Sequence, residues 1–329
     1  MLRLGTAGLF TTVQDLGRRG HQREGVPAGG AMDRLALRVG NLLVGNDDGA
    51  AALETTLFGP TITFDQETLL AVTGGDAGVS VNDRQLPMYR PVLVPAGATL
   101  HYGRKVRGCR SYLAIAGGVD VPRVFGSRST YTRGAFGGCD GRALRTGDRL
   151  PIAAASDAAR RIITRLRAQS GDILVARWSA APSLRTHIGG RPTVRLLPGA
   201  HLAALDDPSR DRLFGTAFRV GASSDRMGYR LEGATLSLRQ PLELLSEAVA
   251  FGTVQLPPGG QPIILMADRQ TVGGYPRLGE LASVDLPTVA QLRPGDSLHF
   301  APTTLDEAQR AYLRRERELE QARVAIALL

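Results

Sequence analysis

Cysteine and lysine are scarce in this chain of 329 residues, and each scarcity excludes something. Two cysteines, Cys109 and Cys139, are too few for a disulfide framework and lack CxxC spacing, so both are expected as free thiols in a reducing compartment. Lys105 is the only lysine, so the formal charge of +9 rests almost wholly on arginine. Arginine favours planar, two-point partners such as carboxylates and phosphates. The positive residues are scattered, with no long basic block or aromatic-studded stripe, and nucleic acid is therefore not an expected partner. His21, His101, His187, His201 and His299 lie far apart without an HExxH pattern, which argues against a metal site. No apolar run approaches membrane-spanning length, and the opening MLRLGTAGLFTTVQD lacks the apolar core of a signal peptide. A cytoplasmic protein without membrane contact is the expectation.

The chain exceeds what one hydrophobic core usually serves, which predicts two domains. Residues 1–30, rich in glycine and polar side chains, have little to bury and read either as a segment packing across a cleft or as an arm. A helix is predicted from about Ala31 to Val44, with Met32, Leu35, Ala36, Val39, Leu42 and Leu43 on one face and Gly45-Asn46 as its stop. From Leu53 to Leu150 short apolar runs alternate with turn residues such as Gly74-Gly75-Asp76, Asn82-Asp83 and Pro95-Ala96-Gly97, the pattern of a mainly β domain. A basic helical connector is expected over 156–171, and strands resume from Ile173 to Phe300. Thr304-Leu-Asp-Glu307 is a capping box opening a charged terminal helix with a narrow stripe of Leu305, Ala308, Tyr312 and Leu319, suited to docking on the body or on another subunit. The expected spans are thus 1–155, 156–171, 172–302 and 303–329.

The two β regions resemble each other. Val94-Pro95-Ala96-Gly97 recurs as Leu256-Pro257-Pro258-Gly259, and Leu144-Arg-Thr-Gly-Asp-Arg-Leu150 recurs as Leu292-Arg-Pro-Gly-Asp-Ser-Leu298, with a Gly-Gly turn between each pair. This order predicts a tandem duplication of β-barrel domains with a few peripheral helices. The richest stretch for chemistry is 221–276, where Ser224, Asp225, Arg226, Tyr229, Glu247, Gln255, Asp268, Arg269, Gln270 and Tyr275 alternate with apolar runs. Polar groups at strand ends build sites, although the same residue types also bond their own backbone in ordinary turns.

The ordered motifs TTVQDLGR, GVPAGGAMD, NLLVGN, LETTLFGP, FGSRST, SDRMGYRLEG, SEAVAFGTVQLPPGGQPIILMADRQTVGGYPRLG and LRPGDSLHF resemble the carboxyltransferase-like family called allophanate hydrolase subunit 2. Its members include the C subunit of bacterial ATP-dependent 5-oxoprolinase, KipA-type regulators, and part of the carboxyltransferase domain of urea carboxylase. The resemblance covers about residues 3–302 and thins at 200–212. It implies cyclophilin-like barrels, a B-subunit or KipI-like partner and an A-subunit-like partner. It also implies ATP use through the complex, and biotin through a partner if the substrate is urea. No P-loop, biotin-attachment or ATP-grasp signature occurs in the chain.

Three functions follow from that resemblance: a 5-oxoprolinase subunit inactive by itself, a carboxyltransferase component acting on urea or a related amide, or a regulator binding a KipI-like kinase inhibitor. The shared substrate feature of the enzymes is a planar N–H beside C=O. Under this reading Asp225 accepts the N–H or acts as general base, and Arg226 or Arg128 holds a carboxylate or phosphate. Gln270 or Ser129 donates to the carbonyl, and Tyr275 walls the pocket. Ser127 flanks Arg128 in the same motif. Gln14, Asp15 and Arg18, with Asp33 at the helix start, are a second group expected to close the cleft. Arg128 paired with Asp120 or Asp140, and Asp225 capping a turn, are the structural alternatives.

Overall fold

Short β-branched and aliphatic runs punctuated by glycine and proline form the strands of this computed structural model, which describes residues 1–103 and 107–328 and is mainly β, with five α-helices among the described residues. Lys105 falls outside them. Residues 1–18, 33–188 and the end of the chain from Glu316 form one compact unit, and residues 19–32 and 189–315 form a second.

In the first unit, β1 (Leu2–Thr6), β2 (Phe10–Gln14), β3 (Ala52–Thr56), β4 (Thr61–Phe64), β5 (Thr68–Gly74), β6 (Val79–Val81), β7 (Arg84–Gln85), β8 (Val92–Val94), β9 (Thr99–Tyr102), β10 (Arg110–Ile115), β11 (Arg149–Leu150) and β12 (Leu174–Val175) make two six-stranded antiparallel sheets. Their orders are β11-β1-β4-β9-β6-β7 and β12-β8-β5-β10-β3-β2. Leu2, Leu4, Ile62 and Phe64 of one sheet share a core with Val13, Leu70, Val72 and Leu113 of the other. The second sheet is covered on its far side as well: Leu69, Ala71 and Ala114 pack against helices α1 (Arg34–Leu43) and α2 (Asp157–Arg167). Burial on both faces explains why β5 and β10 read as continuous apolar runs instead of alternating ones.

The second unit is built on β13 (Thr193–Pro198), β14 (Phe218–Val220), β15 (Gly228–Glu232), β16 (Glu247–Ala248), β17 (Thr253–Gln255), β18 (Ile263–Leu265), β19 (Val272–Gly273), β20 (Arg277–Leu281) and β21 (Ser297–Pro302). Seven of these close a barrel in the order β13-β20-β17-β18-β15-β14-β21, while β16 and β19 pair as a separate two-stranded antiparallel sheet. The barrel interior holds Val194, Leu196, Phe218, Leu231, Val254, Ile264, Leu278, Leu298 and Phe300. Helices α3 (Asp207–Gly215), α4 (Leu286–Ala290) and α5 (Leu305–Ala327) complete the element list.

The repeated turns are the same device in both units. Arg145 N donates to Asp148 Oδ2 at 2.7 Å around Gly147, and Arg293 N donates to Asp296 Oδ2 at 2.8 Å around Gly295. Both glycines have left-handed φ, +88° and +95°, which a side chain would strain. The mainly β architecture expected from the motifs is borne out; of the two barrels expected, the second unit closes one, whereas the first is a pair of six-stranded sheets around one core.

Three local expectations change. Residues 1–14 are no arm: they form β1 and β2, and Leu2, Leu4 and Val13 are buried. Residues 157–167 do not merely connect, because Ala159, Ile162 and Leu166 of α2 pack in the core of the first unit. The stripe of the terminal helix divides: Leu319 is buried with Ala322 and Ile326 against that same core, whereas Leu305 and Tyr312 are exposed. Its start follows the capping box, with Thr304 N donating to Glu307 Oε2 at 2.9 Å.

Candidate functional site

In the first unit the Asp15 carboxylate organises the FGSRST turn. It follows β2 directly and accepts from Ser127 Oγ at 2.7 Å, Ser129 Oγ at 2.5 Å, Arg128 N at 2.6 Å and Gly17 N at 2.7 Å. Arg18, fully buried, donates to the Ser129 carbonyl and lies 4.9 Å over the Phe136 ring. Gly137 is required here, since a Cβ at φ +72° would come within 2.1 Å of the Ser129 carbonyl oxygen. Gln14 donates to Thr12 Oγ1 and to the Thr130 carbonyl, leaving its buried Oε1 without a hydrogen bond among the described residues. Sequence reasoning placed Gln14, Asp15 and Arg18 apart from Ser127-Arg128-Ser129; the structure joins them in one network.

That network corrects two roles. Ser129 and Ser127 spend their hydroxyl protons on Asp15, so neither is poised to donate to a substrate carbonyl. Arg128 is engaged by Asp120 at 2.6 Å and by the Val121 carbonyl at 2.8 Å, the structural alternative for this residue. Asp33 is a fully buried N-cap: its Oδ1 accepts from Ala36 N at 2.9 Å and its Oδ2 from Thr186 Oγ1 at 2.7 Å. The Tyr112 hydroxyl accepts from Asp33 N at 2.7 Å and donates to Glu54 at 2.7 Å. Burial, then the neighbouring carboxylates of Glu54 and Asp33, holds that phenol well above its ordinary value. Such an enclosed carboxylate orders a helix start instead of meeting a ligand.

In the second unit Asp225 is exposed, and its Oδ1 accepts from Met227 N at 2.8 Å and Gly228 N at 3.2 Å. This is the turn cap that the sequence offered as the structural alternative for Asp225. Arg226 is buried and makes a two-point pair with Asp268, Nε to Oδ2 at 2.8 Å and Nη2 to Oδ1 at 3.0 Å, with Nη2 also donating to the Gly30 carbonyl at 2.7 Å. It holds chain segments together and is not the substrate clamp expected of it. Gln270 and Tyr275 are exposed, and the Gln270 amide has no hydrogen bond among the described residues.

Sequence reasoning missed Glu280. It stands on β20 opposite Thr253 of β17, with the Val254↔Gly279 pair and a bulge between it and the Gln255↔Arg277 pair on the same two strands. Thr253 Oγ1 lies 2.9 and 2.8 Å from its two oxygens, and Ala250 N donates to that hydroxyl at 2.8 Å, which aims the hydroxyl proton at the carboxylate. Burial pushes the Glu280 carboxyl above its ordinary value; the Thr253 hydrogen bond and the charges of Arg277 and Arg269 only partly oppose this. A lone glutamate in the strand RLGEL was the available signal.

Residues 24–302 match the model of the carboxyltransferase domain, subdomain A and B. The chain belongs to this carboxyltransferase family. Over 321 residues it is 40% identical to the C subunit of 5-oxoprolinase from Escherichia coli (strain K12), covering 98% of this chain and 97% of that protein. It is also 40% identical over 308 residues to the corresponding 5-oxoprolinase C subunit of Haemophilus influenzae, covering 94% and 92%. The crystal structure of the Kluyveromyces lactis urea amidolyase superposes with a TM-score of 0.87 at 30% identity, covering 98% of this chain and 20% of that one. The carboxyltransferase chain therefore matches nearly the whole of the 5-oxoprolinase proteins and about a fifth of the urea enzyme. The family resemblance read from the ordered motifs is borne out. Among the described residues no helix is long and apolar enough to cross a membrane.

Proposed function

We propose that this chain is the C subunit of a bacterial ATP-dependent 5-oxoprolinase, a cytoplasmic complex that opens the lactam of 5-oxoproline to glutamate. The carrying observation is coverage combined with identity: relatives of that name align end to end at 40%, whereas the urea amidolyase likeness is confined to a fifth of a larger chain. In the reaction the ring C–N bond breaks, the oxygen of water is added to the carbonyl carbon, and the nitrogen leaves as an amine. A relative named as one lettered component of an enzyme points to partners, here a B-subunit or KipI-like protein and an A-subunit-like protein, without which the chain is catalytically silent.

ATP is assigned to the partners. The chain has no G-x-x-x-x-G-K-[ST] segment, its single lysine following Arg104 in GRKVRG, and no step is attributed to ATP on its residues. Biotin belongs to the urea reading and has no Met-Lys-Met attachment sequence here. Substrate contact falls to residues whose side-chain polar atoms are not engaged by other groups of the fold, Gln270 and Tyr275 before Asp225, Arg226, Arg128 and the serines. Co-expression with the adjacent genes, followed by comparison of 5-oxoproline and urea as substrates of the purified complex, tests the reading. ATP-dependent consumption of 5-oxoproline is expected; consumption of urea alone contradicts it.

A further inference from the structure

The outer wall of the barrel along β17 and β20 carries an unbalanced set of hydrogen-bonding groups. Glu280 can accept at about four lone-pair positions, yet among the described residues Thr253 Oγ1 is its only hydrogen-bond partner. Arg277 Nε is a buried donor with no acceptor among the described residues, its Nη2 being paired with Glu247 at 2.7 Å. Gln255, nearly fully buried beside Arg277, makes one long contact, Nε2 to the Tyr275 carbonyl at 3.5 Å. An acceptor short of donors and a donor short of acceptors, three residues apart on β20, cost stability unless something else completes them.

The cover over this wall is light. The two-stranded sheet of β16 and β19 has two residues in each strand, and the segment leading into it, residues 241–247, is exposed almost throughout, with Leu245 at 90%. Gly273 presses on the wall: a Cβ there would lie 2.7 Å from Gln255 Nε2 and 3.4 Å from Gln270 Nε2. Parting the two strands breaks the Val249 N to Thr271 carbonyl hydrogen bond and the Glu247–Arg277 pair, in which Glu247 is half-exposed and its contribution correspondingly small.

We infer that this wall is an amide-binding subsite, in which the substrate N–H is donated to Glu280 and the adjacent carbonyl oxygen accepts from Arg277 Nε and the Gln255 side-chain amide. The inference rests on the proposal that the chain serves an amide-cleaving complex, and it names the residues that meet the amide. A planar lactam or urea presents the N–H and C=O side by side, which matches the two unmet groups. Thr253 then acts as a positioning residue that fixes the carboxylate.

The test uses the assembled complex with Glu280→Gln, which keeps size and shape. With the wild-type substrate, kcat/KM is expected to fall about 10- to 100-fold, the range for losing a hydrogen bond to a charged group, and the loss should appear mainly in KM. The wild-type KM should also rise as pH falls through the titration of Glu280, which burial places above the ordinary glutamate range. That limb should vanish in the variant. The charges that act on Glu280 are Arg277 on its own strand and Arg269 from the turn after β18; Arg277 is in turn paired with Glu247 and bonded through its N to His201, and the other ionic groups on the adjoining strands are the Arg195–Asp285 pair. Thr253→Val is the second variant and should move the acid limb to higher pH, because it removes the one hydrogen bond that favours the carboxylate. Unchanged kcat/KM and an unchanged acid limb in a folded Glu280→Gln complex overturn the inference. If the complex consumes urea and not 5-oxoproline, the functional proposal fails, and the same comparison on urea decides the subsite.

Discussion

Arg226 and Asp268 form a buried two-point ion pair in which one arginine nitrogen also reaches the Gly30 carbonyl, so a single side chain ties the segment before α1 to the barrel strands that follow it. Removing the arginine leaves a buried carboxylate without its partner. Arg226→Ala should therefore destabilise by about 3–5 kcal/mol, the usual scale for breaking a buried pair. The midpoint of urea unfolding measures it. A change below about 1 kcal/mol would mean that water compensates Asp268 and that the pair is not structural.

Asp15 gathers four donors onto two oxygens. Asp15→Asn turns one acceptor into an NH2 group facing donors, and should cost about 2–3 kcal/mol. Ser129→Ala, which removes one donor, should cost about 1 kcal/mol. Equal melting temperatures for wild type and Asp15→Asn would contradict the network.

Much of the fold was legible because burial and turns write themselves locally. Thr61–Phe64, Val79–Val81, Val92–Val94 and Thr99–Tyr102 are strands inside the stretch from Leu53 to Leu150 expected to be mainly β, and the expected turn residues Asn82-Asp83 and Pro95-Ala96-Gly97 separate them. Helix α3 was not legible: among its nine residues only Ser209 and Leu213 are buried, so it shows no apolar stripe and is announced only by the Asp206 cap on Ser209 N. Membership of residues 19–32 in the second unit was hidden too, because it depends on a bond between Gly30 and a residue 196 positions away. The site residues divide on the same line. Polar type and motif pointed to Asp225 and Arg226, but only geometry shows where their hydrogen bonds are spent, and only the neighbours of Glu280 set it apart.

Asp225 separates a turn cap from a base. Asn caps about as well as Asp, so Asp225→Asn should keep the activity of the complex and its melting temperature, while Asp225→Ala should lose about 1 kcal/mol. A fall of roughly two orders of magnitude or more in the turnover of a folded Asp225→Asn complex would restore the general-base role.

Acid should weaken the first unit through Asp148. Two hydrogen bonds from Arg142, 2.7 and 2.9 Å, and one from Arg145 N hold this carboxyl below its ordinary value of 3.8. A depressed folded value means that the unfolded chain binds the proton first, so the stabilisation is present above about 3.8 and is lost as pH falls through the folded value. Melting temperature followed from pH 5 downward, on a scale of roughly one unit either side of the carboxyl range, should fall less steeply in Asp148→Asn. Parallel curves for the two proteins would contradict this.

The most direct measurement is glutamate released from 5-oxoproline, per ATP consumed, by the purified complex with this chain present and with it left out. The 5-oxoprolinase proposal predicts ATP-dependent release only when the chain is present, and none from the chain by itself. Release by the partners without it, or turnover of 5-oxoproline by the isolated chain, would contradict it.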